Sequence, residues 1–191
     1  EMIDKGLVKV IDQKDVRAYL KVFGLEDHTR QRRRIISWPR VGNRCFQEYF
    51  CEANFGKMRT PDVRQQMEDA CSPLAVYCGT WDMSAAFYQL GYRNGCERWN
   101  CFRHRTASGK VIFLAQQSAC MGATQNSQLC DEVLRRACVL TTADVAVSHP
   151  QYQYEWSTYC DGNRVFSSSA EAVNVWGAAF RARCAQFNIT L

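Results

Sequence analysis

The sequence predicts an α+β domain in which an antiparallel sheet is packed against helices on one face. Two pairs of short strand patterns are each separated by turn residues, which is typical of antiparallel hairpins. Segments with helical periodicity lie before, between and after these hairpins. Because the strands come in blocks and do not alternate singly with helices, an antiparallel sheet is favoured over a parallel one.

The N-terminal half contains one weak helical pattern followed by clearer strand and helix signals. Residues 15–23 predict a short helix, and residues 35–38 predict a short strand that a proline ends. At 60–62 a capping threonine, a proline and an acid form a helix start, and the helix is expected to run to about Ala70. Residues 75–81 are largely apolar and predict the next strand.

The C-terminal half is predicted to form two hairpins and two helices. These elements are, in order, hairpin strands over 99–105 and 111–116, a helix over 124–140, hairpin strands over 152–160 and 163–166, and a helix from 168 onward. Ser168 and Glu171 have the spacing of a capping box, which indicates where the last helix begins.

The composition is that of an ordinary globular protein. The chain has 191 residues, of which 47% are hydrophobic and 23% charged, and this excludes collagen-like and wholly disordered classes. No run approaches 18 consecutive apolar residues, so we expect no membrane partner.

Eleven cysteines are present without any C-x-x-C pair. A zinc site built from Cys96, Cys101 and His104 is one interpretation, but its spacing is unusual for zinc ligands. We favour the alternative, in which the cysteines are small apolar core residues of an intracellular protein in a reducing compartment, nuclear or otherwise.

The positive charge is concentrated in one segment. The net charge is only +5, but 18 of the 24 basic residues are arginine, whose planar forks suit phosphates. Fifteen consecutive residues without an acid contain six of these arginines: Arg30, Arg32, Arg33, Arg34, Arg40 and Arg44. This segment predicts a surface that binds nucleic acid or nucleotide phosphates.

Two acids stand where strands are predicted to end. Asp82 directly follows an apolar strand, and Asp161 lies at the tip of a hairpin between hydrophobic strands. Carboxylates brought together at one edge of a sheet form a hard-oxygen site suited to Mg²⁺, and such a site can drive phosphoryl transfer. The alternative is that both acids only form turns.

The residues around these acids resemble the motifs of reverse transcriptases. Segment 81–90 resembles the first catalytic motif, with Asp82 followed by a helical turn and an aromatic-rich stretch. Segment 119–124 resembles the second motif, centred on Gly122. Segment 159–167 resembles the third, an aromatic residue followed by acids at a hairpin tip, and Arg32–Trp38 is similar to the fingers strand that holds the triphosphate.

The resemblance covers about residues 30–190 and is strongest to retroelements of the tyrosine-recombinase type found in trypanosomatids. It implies a palm-type antiparallel sheet packed on helices, with a partial fingers subdomain and no thumb. The expected organisation is a fingers-like segment over 1–58 and a palm-like domain over 59–191, within one compact unit.

The resemblance also implies roles for individual residues. Asp82 and Asp161 would be catalytic and would bind Mg²⁺ or Mn²⁺, while Phe87 would exclude the 2′-hydroxyl of a ribonucleotide. Gly122 would support the nucleotide, and Arg33 and Arg34 would neutralise its triphosphate. The other arginines of the segment would bind nucleic acid: Arg30, Arg32, Arg40 and Arg44. The expected partners are an RNA or DNA template-primer, deoxynucleoside triphosphates, and other protein chains or domains.

The sequence departs from the family pattern at three places. Gly162 occupies the position where most of the family has a second Asp, and Cys120 and Met121 replace more usual residues before Gly122. The printed sequence ends at Leu191, just after the third-motif helix, so no thumb is expected. Two functions therefore remain open: an RNA-directed DNA polymerase domain, or a catalytically inactive descendant that binds protein or RNA as a scaffold.

Overall fold

The computed structural model describes residues 2–49, 63–120 and 122–191. Its contacts divide the chain into two compact units. The first comprises Glu1–Lys57 and Phe87–Asn126, and the second comprises Met58–Ala86 and Ser127–Leu191. The boundary after Lys57 lies close to the predicted boundary at residue 58. However, Phe87–Asn126 also belong to the first unit, whereas the sequence-based division assigned them to the palm-like domain.

The first unit contains two antiparallel sheets. Strands β1 (Val8–Ile11), β5 (Cys101–Arg105) and β6 (Val111–Gln116) form a sheet in which β6 is central. Strands β2 (Lys21–Asp27) and β3 (Arg32–Trp38) form a separate hairpin. The predicted hairpin of β5 and β6 and the predicted strand ending before Pro39 are confirmed.

The helix predicted over 15–23 is wrong, because the second part of this segment belongs to strand β2. One helical turn forms at Gln13–Asp15, but from Lys21 onward every residue to Asp27 pairs with β3. Val22 packs against the core while Phe23 and Leu25 lie on the opposite, exposed face of the strand, and pairing with β3 overrides a weak helical pattern. Helix α1 (Arg40–Tyr49) then follows β3 directly, in a stretch where the sequence had shown no clear period.

The core of the first unit forms where these sheets meet short loops. Leu20, Cys120 and Ala123 are buried together, and Val22 packs against them from β2. Val8 and Leu114 are buried on neighbouring strands of the larger sheet. Loop residues near Cys120 therefore belong to the same core as the N-terminal strands.

The second unit contains one three-stranded antiparallel sheet with β8 in the centre. Its strands are β4 (Tyr77–Asp82), β7 (Glu155–Tyr159) and β8 (Gly162–Ser167), in the order β4-β8-β7. Helices α2 (Val63–Ala70) and α5 (Ala170–Gln186) belong to this unit, whereas α3 (Ala86–Gln89) and α4 (Thr124–Ser148) each include residues of both units. The start predicted for α2 at 60–62 lies partly outside the described residues.

Helix α5 packs on the sheet of the second unit through aromatic side chains. Trp176 and Phe180 are fully buried and stack with ring centroids 5.0 Å apart. The N-cap of α5 is Ser169, whose side chain accepts a hydrogen bond from the Ala172 amide at 3.3 Å. The capping box predicted at Ser168 is therefore displaced by one residue, although Glu171 does lie in the first turn, where its charge suits the helix dipole.

The fold class is α+β with antiparallel sheets, as predicted. The expectation of one sheet is not met, because the strands of the described residues form three sheets, two in the first unit and one in the second. Apolar patterns and turn residues identify the individual strands. They carry little information about which hairpin joins which sheet.

Candidate functional site

The sheet of the second unit brings the backbones of the two predicted metal-binding acids together. Asp82, the last residue of β4, pairs directly with Gly162, the first residue of β8. Asp161 precedes Gly162 in the turn between β7 and β8, and its carbonyl oxygen accepts a hydrogen bond from the Met83 amide at 2.7 Å. The two acids therefore lie at the same end of neighbouring strands.

The position of Asp82 is fixed by the tryptophan before it. The Trp81 ring lies against α5, with its centroid 5.7 Å from that of Trp176 and 5.9 Å from that of Phe180. The same indole fills the space beside Gly79 and Gly177, where an added Cβ would collide with it. Because side chains alternate along a strand, Asp82 projects on the opposite face and is exposed.

A cation on that face of the sheet, Arg164, is already engaged by other side chains. Arg164 lies on β8 opposite Thr80, two residues from Gly162. Its guanidinium donates to Asp69 of α2 at 2.7 Å and to Ser157 of β7 at 2.8 Å. Within the described part of the chain neither Asp82 nor Asp161 forms an ion pair, and the Asp161 carboxylate has a side-chain hydrogen bond with the Cys160 thiol.

The turn that carries Asp161 is strained at the preceding residue. Cys160 has φ of 54°, in the left-handed region that favours glycine, and the two-residue turn pairs Tyr159 with Gly162. Strain of this kind persists only where surrounding contacts hold it. Here the β7–β8 ladder and the Met83 hydrogen bond hold the turn in place.

The cysteines near the turn are poor candidates for thiolate ligands. Burial raises the pKa of the Cys160 thiol, as does the neighbouring Asp161 carboxylate, whereas a hydrogen bond with Ser127 lowers it. Burial, with the negative charges nearby, raises the pKa of Cys130 to about 12. Neither thiol is an activated thiolate of the kind found in reactive cysteine sites.

Carboxylates carried at one sheet end suit Mg²⁺ or Mn²⁺, which need only one or two protein carboxylates and keep their remaining sites for water and phosphate. The described residues contain no cluster of three or more His, Cys, Asp or Glu side chains that could hold a metal ion. The donor set therefore fits an open, substrate-completed site and does not fit a closed structural one.

The residues of the alternative zinc interpretation form no metal-binding cluster among the described residues. Cys101 is buried and its thiol lies 3.5 Å from the Glu97 carbonyl oxygen, while Cys96 and His104 are exposed. Nine cysteines are described as free thiols, and five of them are buried: Cys101, Cys120, Cys130, Cys138 and Cys184. Their use as small core residues agrees with the favoured prediction.

The other predicted site residues belong to the first unit. Gly122 has φ of +99°, and an added Cβ would lie 3.1 Å from the Ser37 carbonyl oxygen. Its own carbonyl accepts a hydrogen bond from the Asn43 side chain at 3.0 Å. Gly122 thus has a structural reason to be glycine, independent of any nucleotide. Phe87 is half-buried in α3.

The arginine segment runs from the β2–β3 turn into α1. Strand β3 carries Arg32, Arg33 and Arg34, and the register sets the first two opposite Asp27 and Glu26. The fifteen residues lack acids, but the partner strand supplies two, which sequence spacing alone could not show. Arg34 is opposite the uncharged Leu25.

The remaining arginines of the segment flank the hairpin. Arg30 ends the helical turn His28–Arg30, and Arg40 and Arg44 are exposed on α1. The Arg40 guanidinium lies 6.0 Å from the centre of the Trp38 ring. An exposed aromatic ring beside cations is a surface on which nucleic-acid bases can stack.

Sequence reasoning missed further basic residues of the first unit. Arg103 and Arg105 are exposed on β5, Lys110 follows in the turn, and the Arg103 guanidinium lies 5.8 Å from the centre of the Tyr19 ring. The sequence signal was the Arg-His-Arg alternation within a hairpin, which sets both arginines on one face.

The two units differ in charge. The first unit contains 17 basic and 9 acidic residues, whereas the second contains 7 basic and 10 acidic residues. The modest overall charge of the chain conceals this asymmetry, which concentrates phosphate-binding potential in the first unit and leaves the second acidic overall.

Comparisons with known proteins give no relative: no protein-family model matches the chain, and no curated protein is significantly similar to it. In the part of the chain that the structure describes, no helix combines the length and apolarity needed to cross a membrane. The assignment of a function therefore rests on the site residues and on the motif resemblance.

Proposed function

We propose that this chain is a reverse-transcriptase-like domain that carries out template-directed nucleotidyl transfer, that is, an RNA-directed DNA polymerase. The observation that carries the proposal is the direct pairing of Asp82 with Gly162, which brings the backbones of Asp82 and Asp161 to the same end of neighbouring strands. Two acids far apart in sequence, each within a segment that resembles a catalytic motif, lie at one end of neighbouring strands, and neither forms an ion pair among the described residues.

Asp82 and Asp161 would hold Mg²⁺ or Mn²⁺ through their carboxylate oxygens. When bound, such a metal supplies Lewis-acid stabilisation of the phosphate oxygens and activation of the primer hydroxyl. The chain's own contribution is to hold both carboxylates in place: the β4–β8 ladder fixes their backbones, and the packing of Trp81 on α5 fixes the strand that carries Asp82.

The first unit would bind the phosphates of the substrates. Its excess of basic residues, together with exposed aromatic rings at Trp38 and Tyr19, supports binding of a template-primer. We assign Arg33 and Arg34 to the incoming deoxynucleoside triphosphate, Phe87 to selection against a 2′-hydroxyl, and Gly122 to nucleotide support. The palm and fingers roles of the two units belong to this proposal.

Primer extension tests the proposal. The intact protein should extend a DNA primer on an RNA template with Mg²⁺ or Mn²⁺. Asp82→Asn and Asp161→Asn keep the side-chain shape but remove the charge, so each should reduce extension at least about 100-fold. Asp12→Asn is the matched control, since Asp12 is 74% exposed and its nearest cation, Lys14, is 3.7 Å away. Wild-type activity in Asp82→Asn would refute the assignment.

A second function is favoured by two observations. Gly162 stands in place of the second acid of the third motif, and Gly122 has a packing role that needs no nucleotide. Both fit a catalytically inactive scaffold that binds RNA or protein. In that case the wild-type protein would bind RNA with a strong salt dependence but extend no primer with either metal.

A further inference from the structure

Gly162 lies against the carboxylate of Asp82. A Cβ added to Gly162 would stand 2.5 Å from Oδ1 of Asp82 and 3.7 Å from its Cγ. The smaller of these distances is well below van der Waals contact, so the carboxylate occupies space that a side chain at 162 would need. The Asp82 side chain therefore leans from β4 towards β8, the strand that follows the Asp161 turn.

The need for glycine at 162 is steric and does not come from its backbone conformation. Gly162 is not among the residues with φ in the left-handed region, so other residues can adopt its backbone angles. The nearest backbone atom to the added Cβ, the Trp81 carbonyl oxygen, is 3.8 Å away, which is ordinary contact. Alanine at 162 is thus compatible with the fold and incompatible only with this position of the Asp82 carboxylate.

We propose that Gly162 is a positioning residue that keeps the Asp82 carboxylate against β8, next to the Asp161 turn, so that both acids can bind one divalent cation. This inference rests on the proposed function, because it concerns the same metal site. It also gives a physical account of the departure from the third motif. The space beside residue 162 is filled by a carboxylate from β4 instead of by a side chain on β8 itself.

The test is Mn²⁺ binding to the full chain, measured from the free-ion electron paramagnetic resonance signal. Gly162→Ala should weaken binding about tenfold, because the added methyl group rotates the Asp82 carboxylate away from Asp161. Gly91→Ala is the matched control: its φ is not in the left-handed region and its added Cβ would meet nothing within 4 Å. Both variants should keep the wild-type melting temperature.

A third variant separates positioning from a general effect of bulk. Gly162→Asp also displaces Asp82, but it brings a carboxylate to the vacated space, so its Mn²⁺ affinity should return close to the wild-type value. On sequence grounds the same variant is expected to keep or raise activity, since it restores the usual acid of the motif.

Two results would overturn the inference while leaving the proposed function standing. One is Gly162→Ala that binds Mn²⁺ as tightly as the wild type, with Asp82→Asn still abolishing binding. The other is a Gly162→Ala chain that fails to fold, because glycine would then be required by the backbone. A wild-type chain that binds no Mn²⁺, or binding that Asp82→Asn leaves unchanged, would refute the proposed function and this inference together.

Discussion

Glu97 is a buried carboxylate that depends on a lysine 88 positions earlier in the chain. Its Oε1 accepts a hydrogen bond from Lys9 at 2.6 Å, and its Oε2 accepts one from the Gly95 amide at 2.7 Å. These bonds, led by that of Lys9, hold the pKa of Glu97 below its ordinary value in spite of burial. The pair ties β1 to the helical turn before β5.

Glu97→Gln should lower the free energy of unfolding at pH 7 by about 1–2 kcal/mol, because a charged hydrogen bond is replaced by a neutral one. The folded-state pKa lies below the unfolded value of about 4.3, so the stabilisation is complete above that pH and is lost as pH falls through the folded-state pKa. Urea unfolding of both proteins between pH 7 and pH 3 measures this. A difference that grows as the pH falls would contradict the account.

At the same scale, the candidate metal site was only partly predictable. Asp82 and Asp161 could be selected as candidate metal ligands because acids at the ends of apolar strands are unusual. The motifs around them also occur along the chain in the same order as in the family that they resemble. That Asp82 leans into the space beside Gly162 could not be predicted, because it depends on the β4–β8 register and on a side-chain direction. The pairing of Arg164 with Asp69, 95 residues earlier, is a further contact that spacing does not encode.

At the scale of elements, the contact between β4 and α5 allows no additional volume at Gly177. An added Cβ there would collide with the Trp81 indole, which is also held by Trp176 and Phe180. Gly177→Ala should therefore destabilise the protein by about 1–3 kcal/mol through overpacking, although alanine favours a helix by about 1 kcal/mol.

Gly42→Ala is the matched control for Gly177. It makes the same change within α1, where the added Cβ would meet only the Pro39 Cβ at 3.6 Å. Helix propensity then decides the outcome, and this variant should be stabilised by up to about 1 kcal/mol. Thermal unfolding of both variants gives the comparison, and a stabilised Gly177→Ala would show that Trp81 is not held as described.

From the register of the β2–β3 hairpin we expect its three arginines to contribute unequally to the affinity for RNA. Replacing Arg32, Arg33 and Arg34 together by glutamine should weaken binding. It should also lower the slope of log affinity against log salt concentration by about one for each phosphate that is no longer neutralised. Among single variants Arg34→Gln should have the largest effect, since its cross-strand neighbour is Leu25 and those of the other two are acids.

Fluorescence anisotropy at several salt concentrations measures these affinities. The control is the Arg135→Gln, Arg136→Gln double variant, whose arginines lie on α4 and already pair with Glu132. Its binding should match the wild type. Equal weakening in the control and in the hairpin variant would show that only net charge matters and would remove the hairpin from the binding surface.

Elements were predicted well where a periodic pattern had a clear boundary and poorly where tertiary contacts decide. The β5–β6 hairpin and helix α5 are of the first kind. Strand β2 is of the second, because pairing of all seven of its residues with β3 outweighs the helical pattern that begins at Asp15. Helix α1 was missed because the glycine and polar residues after Pro39 obscure its period.

At the scale of the whole molecule, the division into units and the division of charge coincide. Residues 87–126 return to the first unit and carry Arg93, Arg98, Arg103, Arg105 and Lys110, which raise its positive charge. Sequence order assigns these residues to the neighbourhood of Asp82, so the asymmetry emerges only from the contacts. Under the proposed function, the acidic unit would bind the dication and the basic unit would bind the phosphates of the substrates.

The central claim is that Asp82 and Asp161 together bind a divalent metal ion. Anomalous diffraction from crystals of the protein grown with Mn²⁺ tests it most directly, because the ion is located independently of any activity. We expect an anomalous peak within about 2.5 Å of a carboxylate oxygen of each residue, and no such peak in Asp82→Asn crystals. A Mn²⁺ peak bound elsewhere, with both carboxylates free of metal, would contradict the account.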